Sequence, residues 1–376
     1  MRAVIVGAGP AGLYAGIALR MACSDMEIRI VERNAADATF GFGVVFSDTA
    51  LSFLQEHDPE TCATIIPAMQ SWQDMTVQHA GEHITIDGVG FSAIGRLELL
   101  RLLQTRARAL SIEPEYGTTI THLGELGTAD LIIGADGINS IVRGTLGEAF
   151  EEHIELGNNW YAWFGCEKPF ATLTQTFTES EFGRFNAHHY RYSLSRSTFI
   201  AECGSDTFIN AGFDQLDSRS SRLRCEQIFA DVLDGTGLIE NASTWRRFPF
   251  LTTKRWHHGR CVIVGDAAHT AHFSIGSGTW LALEDIQTLV KALKECEWDI
   301  PSALALYESQ RRPIVEKIVR AAHASAQWYK DFAGHMELDP WSFALSYIQR
   351  TGRVDAKWLS RTAPRFAEAL QQRGLL

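Results

Sequence analysis

Six residues near the start of the chain, Gly7-Ala8-Gly9-Pro10-Ala11-Gly12, place three glycines at GxGxxG spacing directly after the apolar run Ala3–Val6. The chemistry this spacing serves is the binding of a pyrophosphate. Gly7 permits a tight turn, Gly9 lets phosphate approach the backbone, and Gly12 lets a helix pack closely on the preceding strand. Pro10 suits the first helical turn, where its missing N–H costs nothing. The free N–H groups and the dipole at that helix end favour an anion. Glu32 closes the next strand-like run, where a carboxylate accepts a bond from a ribose hydroxyl, and Arg33 follows it. A glycine-rich turn with no ligand would account for the glycines. It would not account for strand, helix and acidic strand end together. By itself the motif does not separate a nicotinamide from a flavin dinucleotide.

These residues need elements to hold them. Residues 2–6 read as a buried strand, Ala11 to Ala22 as a helix of small apolar residues, and Glu27 to Glu32 as a second strand. Leucines at 97, 99, 100, 102, 103 and 110 among arginines predict a helix from Arg96 to Leu110. Asp130 to Ala135 reads as a buried strand. From about 155 to 215 aromatic and β-branched residues alternate with polar ones, the pattern of an antiparallel sheet with one buried face. Cys261–Val264 restores the buried-strand pattern, and helices follow from Gly278. The expectation is an α/β fold: a discontinuous nucleotide-binding domain of residues 1–70, 95–154 and 255–330, a β-rich domain of 71–94 and 155–254, and a helical segment 331–376.

Composition narrows the function. The 376 residues are 45% hydrophobic and 21% charged, an ordinary globular mixture, and the net charge of −11 disfavours a nucleic-acid binder. No apolar run is long enough to span a bilayer, and the N-terminus lacks the pattern of a signal peptide. Seven cysteines stand at 23, 62, 166, 203, 225, 261 and 296 without a CxxC pair, so no metal site is expected. Free thiols in a reducing cytoplasm are the expectation. The sequence carries no signal for oligomeric state.

Two later segments separate the dinucleotides by resemblance. Asp130-Leu-Ile-Ile-Gly-Ala-Asp136-Gly137-Ile-Asn-Ser140-Ile-Val-Arg143 resembles the "DG" motif of the para-hydroxybenzoate hydroxylase family, and Arg260-Cys-Val-Ile-Val-Gly265-Asp266-Ala-Ala-His269 resembles its "GD" motif. The phrases Phe40–Asp48, His188–Tyr192, Ser197–Cys203 and His269–Thr279 resemble one subfamily. It contains the flavin domains of salicylyl-CoA 5-hydroxylase and 2-aminobenzoyl-CoA monooxygenase, and the tryptophan-derivative hydroxylase of violacein biosynthesis. The resemblance covers nearly the whole chain. It departs from the general family at Phe273, Ser277 and Trp280, where proline, glutamine and asparagine are usual.

The resemblance implies a Rossmann-like, glutathione-reductase-like FAD-binding domain with an inserted antiparallel β-sheet and C-terminal helices. It implies FAD as cofactor, NADPH or NADH as cosubstrate, and hydroxylation of a small aromatic substrate by dioxygen through a flavin C4a-hydroperoxide. Asp266 would then bind the ribityl or ribose part of FAD, Arg96 would contact the flavin, and Asp136 would lie near FAD and NADPH or cap a helix. The helix beginning near Gly276 and Gly278 would aim its N-terminus at the flavin pyrimidine ring, where it favours the negative charge of the reduced form.

The protein must still exclude water, aim the ring and withdraw a proton, and a histidine suits the last task. His188 and His272 are the candidates, with Tyr190 facing the substrate. His269 is expected to be structural. Trp160, Trp163 and Trp280 are candidate pocket walls. Arg246 and Arg247 would meet an anion or lie on a solvated face. An FAD-linked oxidase or dehydrogenase without oxygen insertion is the alternative. A flavin halogenase lacks its WxWxIP signature in this sequence, and intact glycine, DG and GD motifs oppose a non-catalytic flavin binder.

Overall fold

The computed structural model describes residues 1–376, the side chain of residue 49 excepted. Strand β1 (Arg2–Val6) leads through Gly7–Gly9 into helix α1 (Pro10–Ala22), and β2 (Glu27–Val31) returns parallel to β1. β1 also pairs in parallel with the strand Leu131–Gly134, which in turn pairs with Cys261–Ile263. Residues from both ends of the chain therefore share one five-stranded sheet, completed by His257–His258. Its central strands are apolar throughout because helices cover both faces. Ala3, Val4, Ile5, Leu131 and Ile133 are fully buried.

The second sheet has eight strands. Gly183–Arg191 lies between Leu173–Ser180 and Ser197–Cys203, and the long strand Glu152–Cys166 pairs with Ser197–Cys203 and with Arg246–Thr253. Met75–His79 and Glu82–Ile86 extend the other side. A small third sheet, Gly43–Ser47, Phe91–Gly95 and Gln70–Trp72, sits beside the helix Arg96–Ala109.

Two findings depart from the sequence reading. Helices occupy Ser205–Asn210, Ser218–Ile228 and Ala230–Leu233, within the stretch expected to be β-rich. The large sheet also has two buried faces rather than one. Every residue of Ser197–Cys203 is buried. Phe185, Ala187, Phe199 and Ala201 cluster with Phe208 of the first of these helices and with Phe229 at the junction of the other two. The opposite face, with Tyr161, Trp163, His188, Ile200 and Glu202, meets Phe273 and, from the long helix Ile300–Lys330, Tyr329. No described helix is long and apolar enough to cross a membrane, and all seven cysteines are free.

Candidate active site

The glycine loop has the geometry a pyrophosphate needs. Gly7 has φ +100°, and a Cβ there would meet Ala135 O at 2.5 Å. A Cβ on Gly12 would lie 1.8 Å from Gly7 O, so the helix sits against the turn only because this residue is glycine. Around Gly9, by contrast, a Cβ would meet nothing within 4 Å. The loop is open at the one glycine whose use is ligand approach. Glu32 has a duty the sequence reading did not foresee: its carboxylate accepts the Ala8 N–H at 2.8 Å and the Asn34 N–H at 2.9 Å. It fixes the loop. Arg33 is exposed.

The DG and GD segments meet at the ends of adjacent strands. Asp136 accepts the Ile141 N–H at 2.6 Å, capping the short helix Ile141–Leu146 with Ser140. Its other oxygen, Oδ1, is buried without a partner. Burial raises its carboxyl above the ordinary range, and the bonds from Ser140 and Ile141 act against that rise. Arg143, a buried side chain to which the sequence gave no role, donates to Ala267 O at 2.8 Å and to Ile138 O. It joins the two motifs. His269 is structural, as its surroundings show. Its Nε2 lies 2.8 Å from Asp285 Oδ2, which also accepts the Gly265 N–H at 2.8 Å, while Arg311 donates to Asp285 Oδ1 at 2.7 Å. Burial alone would raise the Asp285 carboxyl, but His269 and Arg311 outweigh it and bring the group down to about 2.

Asp266 stands apart from this network. Its side chain is exposed and makes no hydrogen bond to a described residue. The surrounding protein raises its carboxyl, with His269 and Arg96 opposing. Arg96 opens its helix half-buried, with its backbone N–H on Phe42 O at 2.7 Å and its guanidinium free of any described acceptor. Arg246 stands near enough to Arg96 to repel it, 5.5 Å above the Tyr161 ring. At the facing helix, Gly276 has φ +62°, Gly278 is open, and Ser277 Oγ is buried and unpartnered. An open loop at one helix N-terminus, an open second N-terminus, two orphaned polar atoms and a free Asp–Arg pair fit a long dinucleotide carrying a flavin.

One face of the large sheet carries a cluster of aromatic side chains. Phe273 is its centre: its ring lies 4.8 Å from Tyr161, 5.3 Å from His188 and 4.2 Å from His272. Trp163 is 6.2 Å away, and the Tyr329 ring stands 4.9 Å from His188. His188 Nε2 is 3.1 Å from Glu202 Oε2. Burial lowers the affinity of His188 for a proton, and Glu202 opposes that. His272 Nδ1 is 2.8 Å from Ser274 Oγ, in a chain that continues to Ser325 and Arg350. Its proton affinity falls well below the usual value through burial, with His188, His323 and Arg350 adding to the fall.

Several expected site residues are placed otherwise. The Tyr190 hydroxyl donates to Gly43 O at 2.9 Å, so it ties the sheet to Gly43–Ser47 and is spent as a proton donor. Trp160 points to the back of the sheet and stacks on Phe208 at 4.1 Å, because strand alternation separates it from Tyr161. Trp280 is buried in the core of the nucleotide-binding part, edge-on to Phe53. Arg247 braces its own sheet by donating to Gly157 O at 2.6 Å. Sequence reasoning missed Glu202, Asn159, Phe273 as a cavity residue, and the Asp285–Arg311 pair. The only available signal was an acidic residue inside an otherwise apolar strand at Glu202.

Comparison with known proteins decides between the dinucleotide readings. A model described as "FAD binding domain" matches residues 125–322. The chain is 36% identical to a salicyloyl-CoA 5-hydroxylase of Streptomyces sp over 96% of this chain and 74% of that one. The chain belongs to the FAD-dependent aromatic monooxygenases. It is 33% identical to the 3-hydroxy-4-methyl-anthranilyl-[aryl-carrier protein] 5-monooxygenase of Streptosporangium sibiricum, over 88% of this chain and 89% of that one. It is 31% identical to the protodeoxyviolaceinate monooxygenase of Chromobacterium violaceum, over 99% and 98%. Among solved structures, 2-methyl-3-hydroxypyridine-5-carboxylic acid oxygenase shares the fold with TM-score 0.74 at 17% identity, over 97% of this chain and 96% of that one. In such a monooxygenase FAD takes hydride from NAD(P)H and supplies the activated oxygen, and the protein's own share is binding, aiming and proton handling.

The two motif aspartates should separate on mutation. Asp266→Ala is expected to weaken FAD binding while leaving the apoprotein's melting temperature unchanged, because the carboxylate bonds to no described residue. Asp136→Ala is expected to cost about 1 kcal/mol of stability through the lost helix cap and to weaken FAD less. Flavin titration of both apoproteins beside thermal melts tests this, and equal flavin affinity in Asp266→Ala and the parent sinks it.

Proposed function

We propose that this monooxygenase hydroxylates an aromatic ring that bears an ortho hydroxyl or amino group and is linked as a thioester. The observation that carries the reading is chemical. Two of the relatives above act, by name, on a salicyloyl and an anthranilyl group joined to coenzyme A or a carrier protein. The balanced reaction is aryl–H plus dioxygen plus NAD(P)H plus a proton, giving aryl–OH, NAD(P)⁺ and water. In this reading Gly7, Gly9, Gly12 and the α1 N-terminus take the pyrophosphate of FAD and Glu32 a ribose, with Arg33 at its edge. Asp266 takes the ribityl chain, and Arg96, Gly276 and Gly278 face the flavin ring, with Asp136 at the border of the site. The ring of the substrate lies against Tyr161, Trp163, His188 and Phe273. Their aromatic surfaces support this by forming a dry wall in front of the flavin-facing helix. His188 and His272 are the proton-handling candidates.

The same reading divides the chain into residues 1–70, 95–154 and 255–330 around FAD, residues 71–94 and 155–254 around the substrate, and residues 331–376 behind them. It sets the reaction in the cytoplasm, where NAD(P)H is supplied and free cysteines stay reduced.

The test is a screen of NADH and NADPH oxidation with three substrate classes: ortho-substituted benzoyl thioesters, the free acids, and indoles. Products are analysed by mass under isotopically labelled dioxygen. A thioester product carrying one labelled oxygen is expected. Turnover without label would make the protein a dehydrogenase or oxidase, and preference for a free acid or an indole would overturn the thioester assignment.

A further inference from the structure

Glu202 lies in the middle of a strand in the large sheet, and its side chain is 1% exposed. A carboxylate so placed is costly unless it is fully partnered. It has two partners. His188 Nε2 stands 3.1 Å from Oε2, and Asn159 Nδ2 donates to Oε1 at 2.8 Å. Asn159 spends its other N–H on Tyr329 O at 2.7 Å, so the amide cannot turn away. The register explains the meeting. His188 pairs with Ile200, and Glu202 pairs with Asn186, so His188 and Glu202 are diagonal neighbours on the face that carries Tyr161 and Trp163. His189, the next residue, projects to the back, bonds Thr176 Oγ1 at 2.9 Å and stacks on Phe199. A core histidine is served there by a neutral hydroxyl. The cavity histidine has a buried carboxylate instead.

We infer that Glu202 is a positioning residue that holds the proton of neutral His188 on Nε2 and leaves Nδ1 as acceptor for the proton of the substrate's ring hydroxyl or amino group. In that step the aryl O–H or N–H bond breaks and its proton passes to Nδ1. Its electron pair stays on the heteroatom and enriches the ring for attack on oxygen. The imidazolium that forms donates from Nε2 to the carboxylate, and the proton returns to the product. The groups facing His188 are Glu202 from its sheet, His272 from the loop before the flavin-facing helix, Tyr329 from the long helix and Arg350 beyond the helix Pro340–Gln349. Glu202 is the anion among them. Burial and Arg350 oppose protonation of His188, and the Glu202 carboxylate works against both.

This inference rests on the hydroxylase reading of the cavity, and its first test does not depend on turnover. Holoenzyme labelled with ¹⁵N-histidine, assigned with His188→Gln, is titrated by nuclear magnetic resonance. The expected tautomer of His188 carries its proton on Nε2, and in Glu202→Gln its protonation moves to lower pH. Finding the proton on Nδ1 in the unaltered protein would overturn the inference whether or not any variant folds. The second readout is product formed per NAD(P)H consumed against pH. Its acid limb should move to lower pH in Glu202→Gln, where product formation falls about tenfold, as expected for roughly one unit of lost basicity. His188→Gln should lose about 100-fold while still binding FAD. An unmoved acid limb in Glu202→Gln would make the carboxylate merely structural. Failure of every aromatic to be hydroxylated, with the expected tautomer present, would sink the function and not this arrangement.

Discussion

Gly9→Val is expected to fold and to lose its FAD. The backbone at Gly9, with φ −69° and ψ −178°, is one that valine adopts readily, and a Cβ there would meet no atom within 4 Å. Nothing in the apoprotein resists the substitution. The branched side chain instead fills the space through which the backbone N–H groups at the α1 N-terminus would reach a pyrophosphate. Gly12→Ala makes the contrast, because its methyl group would fall 1.8 Å from Gly7 O and α1 could not close on the turn. That variant is expected to be insoluble or destabilised before any question of cofactor arises. Flavin absorbance per polypeptide, read beside the apoprotein melting temperature, separates the two. A soluble Gly9→Val with a full complement of FAD would show that the loop is not the binding site.

Asp285→Ala is expected to destabilise the protein by about 3–5 kcal/mol, the usual cost of breaking a buried ion pair from one side. The carboxylate is fully buried and serves Gly265 N–H, His269 and Arg311 at once. Its removal leaves the buried Arg311 with Glu284 as its one carboxylate partner, deprives His269 Nε2 of its acceptor, and frees the loop that carries Asp266. FAD affinity should therefore fall together with the melting temperature, whereas in Asp266→Ala only affinity falls. The pH dependence follows from the sign of the shift. The folded Asp285 carboxyl, at about 2, lies below its unfolded value. Its stabilisation is complete above the unfolded carboxylate range and is lost as pH falls through that range toward 2. Denaturant melts from neutral pH downward should show a smaller acid loss in Asp285→Ala than in the parent. Equal stability at neutral pH would refute the role.

The nucleotide-binding half was legible because its signals are local. Gly7, Gly9 and Gly12 act within one turn, and Glu32 lies at the end of the next strand. The GD phrase drew Asp266 out as a candidate for the same reason. Residues whose partners are distant in sequence were not legible. Arg143 joins two motifs, and Arg311 reaches Asp285 from a neighbouring helix. The helices between Ser205 and Leu233 were missed because their apolar residues Phe208, Cys225 and Phe229 answer to the back of a sheet rather than to a regular helical stripe.

The sequence by itself indicated that a dinucleotide is bound and that one parallel sheet draws strands from both ends of the chain, and its motif phrases carried the resemblance that implies flavin hydroxylation. These follow from turn geometry, strand hydrophobicity and motif phrases, which neighbouring residues suffice to specify. Only the tertiary structure shows why His188, and not the adjacent His189, meets a buried carboxylate. Residues 188 and 189 are the same type, and a strand sends successive side chains to opposite faces, so register alone gives His188 to Glu202 and His189 to Thr176. Likewise Tyr190 and Trp160 became structural, because their partners Gly43 and Phe208 are far away in the chain and meet them only in the folded sheet.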